Sequence, residues 1–493
     1  MVENKNIVYN LEFLRQRVRQ KREDAEKRLQ ELRKELKGDF EHKRKGSRKV
    51  SIVEGSFNAV TDGAGARYVS PFALALGATT TQIGLLSSLP TLLGNFTQIF
   101  SSKAMEKFSR KKIVILFTTL QAIFWLFVLL SGVFFFIFKF NSAVSVNFLI
   151  MAYTLLIAFG AFVSPIWNSW MKDLVDPDKS GKYFGTRSKV IGFVSLLAML
   201  IGGFILDYFK NTKVFIGFFI LFAICFLARL ISSQLFRKQY EPGLETEKDY
   251  HFSLWQFIKK MGHNNFGKFV IAISLMNFAI SIASPFFAVY MLKDLGFSYI
   301  TYTIIIVSSI IGNLIFVPFW GKFADRYGNV KTIKITAFLT SLVPILWFAS
   351  YFLFKGNAGL IPFLIFTEVY SGMVFAGFSL TTSNFIYDAV TRQRMALCTS
   401  YFNVINGIAV FLGATLAGLI ASRADLIFGI SIFLVIFLVS GILRLFMAIF
   451  FVSRFNEVRM VEPFKFVNIP GKIRGMTPDR LWQYIDILNF KAE

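Results

Sequence analysis

Twelve stretches of about twenty mostly apolar residues run through this chain, and a helix of that length is what crosses the ~30 Å hydrocarbon core of a bilayer. They fall at about 50–78, 81–101, 113–138, 144–171, 188–207, 213–236, 267–292, 297–320, 333–354, 358–387, 395–422 and 426–452. Ile113–Phe138, Phe269–Leu292, Gly296–Trp320 and Met395–Ser422 carry no charged residue at all. The first span is interrupted by polar residues, and the fifth is short. In lipid the backbone must satisfy its own hydrogen bonds, so these are helices, and no period-two alternation supports a barrel. The expected class is an all-α membrane protein with twelve transmembrane helices. Composition agrees: 54% of the 493 residues are hydrophobic and 17% charged, against roughly 25% charged in soluble domains. A soluble enzyme, a disordered chain and a secreted disulfide scaffold are all excluded. Cys225 and Cys398 are scattered, and His42, His251 and His263 have no ligand-spaced neighbour. No metal and no other cofactor is therefore expected.

The net charge of +24 raises the question of nucleic acid, and its distribution answers it. One set of loops holds only Lys139, Lys210, Lys213, Lys293, Lys355 and Arg423. On the other side, one loop alone holds Lys103, Lys107, Arg110, Lys111 and Lys112, and another Lys172, Lys179, Lys182, Arg187 and Lys189. Lys and Arg accumulate in cytoplasmic loops, so both termini are expected in the cytoplasm of a cell-membrane protein. The excess charge is a topology signal with some attraction to anionic lipid, and no nucleic acid partner is implied. The start, MVENKNIVYNLEFLRQ, has no apolar h-region, so no cleavable signal is expected.

The chain also repeats itself. Trp170-Met-Lys-Asp173-Leu-Val-Asp echoes Phe385-Ile-Tyr-Asp388-Ala-Val-Thr, Gly192 matches Gly407, and Arg229-Leu230 matches Arg444-Leu445. Gly94-Asn95 pairs with Gly312-Asn313, and Leu76-Gly77 with Leu295-Gly296. A nearly constant offset of about 215 residues, kept at equivalent points of two six-helix halves, is the parallel repeat of a six-plus-six transporter. The expected organisation is a charged tail at 1–49, a six-helix bundle at 50–236, a linker at 237–266, a second bundle at 267–453 and a tail at 454–493.

After the eighth span stands PFWGKFADRYGNVK. It resembles the loop signature of the major facilitator superfamily, with Gly321, Asp325, Arg326, Gly328 and Lys331 in its positions. The first-half copy, SSKAMEKFSRKK, is degenerate, with Lys107 where the acid should stand. The loop DPDKSGKYFGTRS resembles a Gly-[+]-Tyr-Phe-Gly-x-Arg segment of some members. The resemblance covers about 50–453 and implies a secondary transporter rather than an enzyme. An acid in such a turn can sit at the N-terminus of another helix, where free N–H groups and the dipole favour negative charge. The adjacent Arg can pair with a carboxylate, so the loop is expected to clip the cytoplasmic helix ends together in one state and release them in another. Two departures weaken a drug–proton antiport reading: 149–171 has no Arg, and 190–206 has Gly202-Gly203 without Pro.

Polar residues at membrane depth are the candidate substrate or coupling cavity. In span 1, Glu54, Asn58 and Asp62 stand four apart and share a helical face. Arg67 lies off that face unless Gly63-Ala-Gly65 bends the helix, and Glu54 reads as interfacial. An Asp62–Arg67 pair is either functional or a link from this helix to a neighbour. Glu368 in span 10 has no charge beside it and is the candidate proton carrier, with Asp62 the candidate substrate or structural contact. Gln121, Trp167, Asn168, Asn277 and Asn384 are further candidates, and each is equally an interhelical hydrogen-bond group. Arg229 and Arg444 read as snorkelling anchors at the inner face.

Residues 11–37 read as a charged helix for the anionic leaflet or a partner helix. PDRLWQYIDILNF, near the C-terminal end, reads as a short amphipathic helix. No phosphate-binding loop is present, so drive must come from a proton or other ion gradient, or from the solute's own. The expected partners are a small-molecule solute and membrane lipid. A receptor or scaffold that kept the fold is the alternative. A lipid-acting membrane enzyme would need a His or paired carboxylates near one interface, and no such set is found.

Overall fold

The computed structural model describes residues 40–176, 180–210, 213–242, 253–354, 357–391, 394–424, 426–427 and 429–462. The expected helices at 11–37 and near the C-terminal end lie outside the described residues.

Among the described residues, twelve helical segments follow the order of the expected spans. The first, α1, is α-helical over 40–60, turns π-helical at Thr61–Gly65 and 3-10 at Ala66–Tyr68, and ends as Val69–Ala75. Then come α2 (Thr80–Gln98), α3 (Arg110–Gly132), α4 (Ser142–Leu174), α5 (Ser180–Phe209) and α6 (Val214–Arg237). The second half has α7 (Asn265–Ala283), α8 (Tyr299–Tyr327), α9 (Asn329–Phe354), α10 (Leu360–Ala389), α11 (Met395–Ala421) and α12 (Ile432–Phe450). Ten helices among the described residues are long and apolar enough to span a membrane; α1 and α2 are not among them. α5 is longer than its apolar run predicts, because the charged segment at its start is helical too.

Local signals set the boundaries. Thr79 and Gln82 cap α2 reciprocally, and Ser109, Asn141 and Ser298 cap α3, α4 and α8 by accepting from backbone N–H groups; these caps satisfy donors that a helix start leaves orphaned. The turns before α2 and α8 need Gly77 at φ +80° and Gly296 at φ +63°, a region that glycine enters freely. These are the same two glycines the repeat pairs.

The two faces of the molecule are packed differently. On the face opposite the two described chain ends, the far face, one apolar core joins both halves, from Phe72, Leu76 and Ile83 to Phe286, Val289, Tyr302, Ala417 and Phe437. On the tail face the cores separate: Trp170, Met171 and Phe236 belong to one half, and Phe269, Phe385 and Phe455 to the other. A seam of α2 against α11 runs between the halves. Gly84 lies against the Ala414 carbonyl, Ser88 meets Thr415 at 3.4 Å, and Asn403 donates to Gln98 at 2.9 Å. Small residues at such seams let helices approach where lipid gives no hydrophobic drive.

Candidate functional site

The interruption of α1 places the membrane-depth polar residues. Gly63 lies so close to α5 that a Cβ would stand 2.2 Å from the Ser195 carbonyl. Gly65 is similarly close to Trp125 of α3 and Cys225 of α6. With that side of α1 packed against α3, α5 and α6, its other side carries Asn58, Asp62 and Arg67, all exposed. A π-helical turn adds a residue to the turn and is found often at functional positions. Here it brings Asp62 and Arg67, five apart, to 3.8 Å. The pair joins no two helices, because both members belong to α1. An exposed ion pair contributes about 0–1 kcal/mol, whereas each charge at mid-membrane costs at least ~2.5–3.5 kcal/mol on insertion scales. The link to a neighbouring helix comes instead from Ser195 of α5, which donates to Asp62 at 3.0 Å.

Asn58, Asp62 and Gln121 line one cavity of about 160 Å³ together with Trp125, Tyr153 and Arg229. Arg229 forms its floor. Its guanidinium donates to Gln121 through Nε at 2.9 Å and through a second, shorter bond, and to Ser232 at 3.1 Å. Glu54 sits beneath, 3% exposed. It accepts from Ser232 at 2.8 Å and lies 3.7 Å from Arg229 and 3.6 Å from Arg187. Arg187 in turn stacks over the Trp167 ring at 4.3 Å. The interfacial reading of Glu54 and the snorkelling reading of Arg229 and Arg444 are therefore corrected. Glu54 does share the face of Asn58 and Asp62, but α5 and α6 cover it at that level. Arg444 is 1% exposed and donates to Ser440, the Thr340 carbonyl and the Ile280 carbonyl. One sequence signal was available: an arginine repeated at the same point of both halves in so apolar a setting.

The remaining candidates lie elsewhere. Asn168 is exposed on α4, one residue past Trp167. In the second half, Asn277 of α7 donates to Asn406 of α11 at 2.7 Å. Glu368 of α10 accepts from the Trp347 indole at 3.0 Å and from Ser309, so it ties α8, α9 and α10 together. Asn384 is half-buried near the tail end of α10.

Between cavity and far face lies a seal that sequence reasoning missed. The Tyr68 hydroxyl donates to the Met199 carbonyl at 2.5 Å and shares a 2.7 Å bond with Thr303 of α8. Tyr302 donates to the Arg67 carbonyl at 3.1 Å. Beyond the seal, a depression of about 640 Å³ opens between the halves, lined by Thr79, Thr80, Lys293, Tyr299 and Ser422 among others. On the tail side, α5 faces open space at Gly185 and Gly192.

The loop motif sits on the tail face. Asp325 is exposed and makes no hydrogen bond or ion pair among the described residues, and Arg326 bonds Glu462 at 2.7 Å. Gly321 and Lys331 are half-buried. Gly328 has φ +95°, and the Glu457 carboxylate lies where its Cβ would be. Glu457 also accepts from the Val330 N–H at 2.8 Å. The degenerate first-half copy is built alike: Glu241 accepts from the Lys111 N–H at 3.2 Å, and Arg110 bonds Asp173 at 2.6 Å.

The profile of the family described as Major Facilitator Superfamily matches residues 56–312 and again 269–468. No curated protein sequence matches the chain. Among solved structures, an auto-inhibited POT family peptide transporter is similar at 13% identity and TM-score 0.64, over 85% of this chain and 98% of its own. The nucleoside transporter NupG is similar at 16% identity and TM-score 0.60, over 84% and 100%. The xylose transporter XylE from E. coli, in an inward-open conformation, is similar at 13% identity and TM-score 0.58, over 84% and 96%.

Proposed function

Because the chain belongs to the Major Facilitator Superfamily, we propose that it is a secondary transporter moving a small solute by alternating access. The observation that carries this reading is the asymmetry of the faces, with one shared core and a tyrosine seal on the far side and separate cores on the tail side. A path sealed at one end, with polar residues at its middle, is what one half of a transport cycle requires. The tail face is cytoplasmic in this proposal, on the loop-charge asymmetry, and the state is inward-facing. An impermeant thiol reagent applied outside cells should label a cysteine at Ala143 and spare one at Phe108; the reverse pattern reverses the orientation.

The coupling ion proposed is the proton, and its carrier Glu368, an acid bonded only to neutral groups. In proteoliposomes, Glu368→Gln should keep exchange between two filled sides and lose accumulation driven by a pH gradient. Full gradient-driven uptake by that variant ends the coupling proposal. Absence of any flux by the wild-type chain across a solute panel ends the transport proposal and leaves the receptor or scaffold alternative.

A further inference from the structure

We infer that the exposed Asp62–Arg67 pair of α1, whose acid lines the cavity, is a binding site for a small zwitterion, with Asp62 taking its cationic group and Arg67 its anionic group. The inference deepens the transporter reading and rests on it.

Three observations point this way. The Asp62–Arg67 contact is long, at 3.8 Å, and the two side chains are 51% and 44% exposed, so neither charge is fully used by the other. The pair is internal to α1, and the single bond from Ser195 of α5 to Asp62 gives no structural use to Arg67's charge. It also depends on the π-helical turn Thr61–Gly65; a regular helix would send side chains five apart to different faces.

The surroundings set the ligand's charge. Ser195 of α5 supports Asp62 at 3.0 Å, and Tyr153 of α4 lies near both charges. Arg229 of α6, which lines the cavity, and Arg187 of α5 share the carboxylate of Glu54 of α1. Toward the far face, the hydroxyls of Tyr302 and Thr303 of α8 are buried and held by the Arg67 carbonyl and by Tyr68, so they close that side of the site. A lone cation would leave Arg67 without its counter-charge, and a lone anion would do the same to Asp62. An ammonium and a carboxylate held about one carbon apart can replace the weak internal pair with two charge-assisted contacts, the guanidinium gripping the carboxylate in fork geometry. Trp125, Leu156 and Ile157 of the same cavity suit a small apolar substituent. The site also abuts the seal, because the Arg67 carbonyl holds Tyr302 and the next residue, Tyr68, holds Thr303. Ligand contact at Arg67 thus reaches the seal through one peptide unit.

The test uses the full chain in detergent and in proteoliposomes. Glycine, L-alanine, L-leucine, L-phenylalanine and glycine betaine are each titrated beside an analogue lacking the cation and one lacking the anion, such as 4-methylpentanoate and leucinamide for leucine. At least one zwitterion should bind tenfold or more tightly than both of its single-charge analogues. Asp62→Asn and Arg67→Gln should each weaken it at least tenfold. The double variant, which leaves no lone charge, guards against a folding defect; its unliganded thermal midpoint should match wild type while binding is lost. The inference is overturned if no zwitterion in the panel binds, if an analogue binds as tightly as its parent, or if the double variant binds like wild type. Binding without uptake under any gradient would reject transport and keep the site. Uptake of a neutral sugar or nucleoside retained by the double variant would reject the site and keep transport.

Discussion

The two halves place an arginine at the same point of their sixth helices and surround it differently. Arg229 meets Glu54, Gln121 and Ser232, with Arg187 and the cavity alongside. Arg444 meets Ser440 and two backbone carbonyls, and no carboxylate of the described residues is within ion-pair distance. The shared position reflects the repeat, since one donor-rich side chain can tie three helices in either bundle. The difference goes with the cavity beside Arg229, which is lined by Asp62, Gln121 and Arg229 of the first half, whereas Asn277–Asn406, away from that cavity in the second half, is an uncharged amide pair.

Glu54 should therefore be the most sensitive position in the comparison. Glu54→Leu leaves the buried Arg229 and the half-buried Arg187 without their shared acid, and breaking one side of a buried ionic cluster costs about 3–5 kcal/mol. The thermal midpoint of the detergent-solubilised protein should fall steeply. Glu54→Gln, which still accepts from Ser232, should fall less than half as far. Equal losses in the two variants would mean that the charge alone, and not the shape or the retained Ser232 bond, is what Glu54 supplies.

Arg444→Met should do much less. No acid is orphaned, the carbonyls keep their helical bonds, and replacing a buried ion with an apolar side chain of similar length is often close to neutral. The expected loss is about 1 kcal/mol, set by the hydrogen bonds given up. A loss as large as that of Glu54→Leu would make the two arginines equivalent and remove the contrast between the halves.

Most of the fold can be read from the sequence because the bilayer leaves few options. Apolar length gives the helices, and Gly77 and Gly296 mark the same turn in each half. The site is less legible for a specific reason: helical spacing assumes a regular helix. α1 stops being regular at Thr61, so Arg67 returns to the face of Asp62, a possibility that the glycines Gly63 and Gly65 leave open without deciding. Glu54 and Arg229 were misread because depth along a helix does not say what covers it. The tyrosine seal was invisible, since Tyr68 and Tyr302 look like ordinary apolar-span residues until two separate helices bring them to one point.

The smallest effect on stability and the most informative on mechanism is expected at Asp325. Its counterpart position in the first half is Lys107, which cannot take an acid's place at a helix N-terminus. If the loop is a clip, only the second half has it. In the state described here Asp325 is exposed and unbonded among the described residues, which is what a released clip would show. Asp325→Asn should then leave the thermal midpoint unchanged but weaken the alternative state, in which the tail ends of the halves close. Spin labels at Phe108 and Tyr387, both exposed and one on each half of the tail face, would report this by electron–electron distance measurement. The wild type should show a shorter population that the variant loses, and Lys107→Asp should not create a second clip while Ser109 and Arg110 retain their present bonds. Identical distance distributions in wild type and Asp325→Asn would remove the clip and leave the motif as a charged turn held by Glu457.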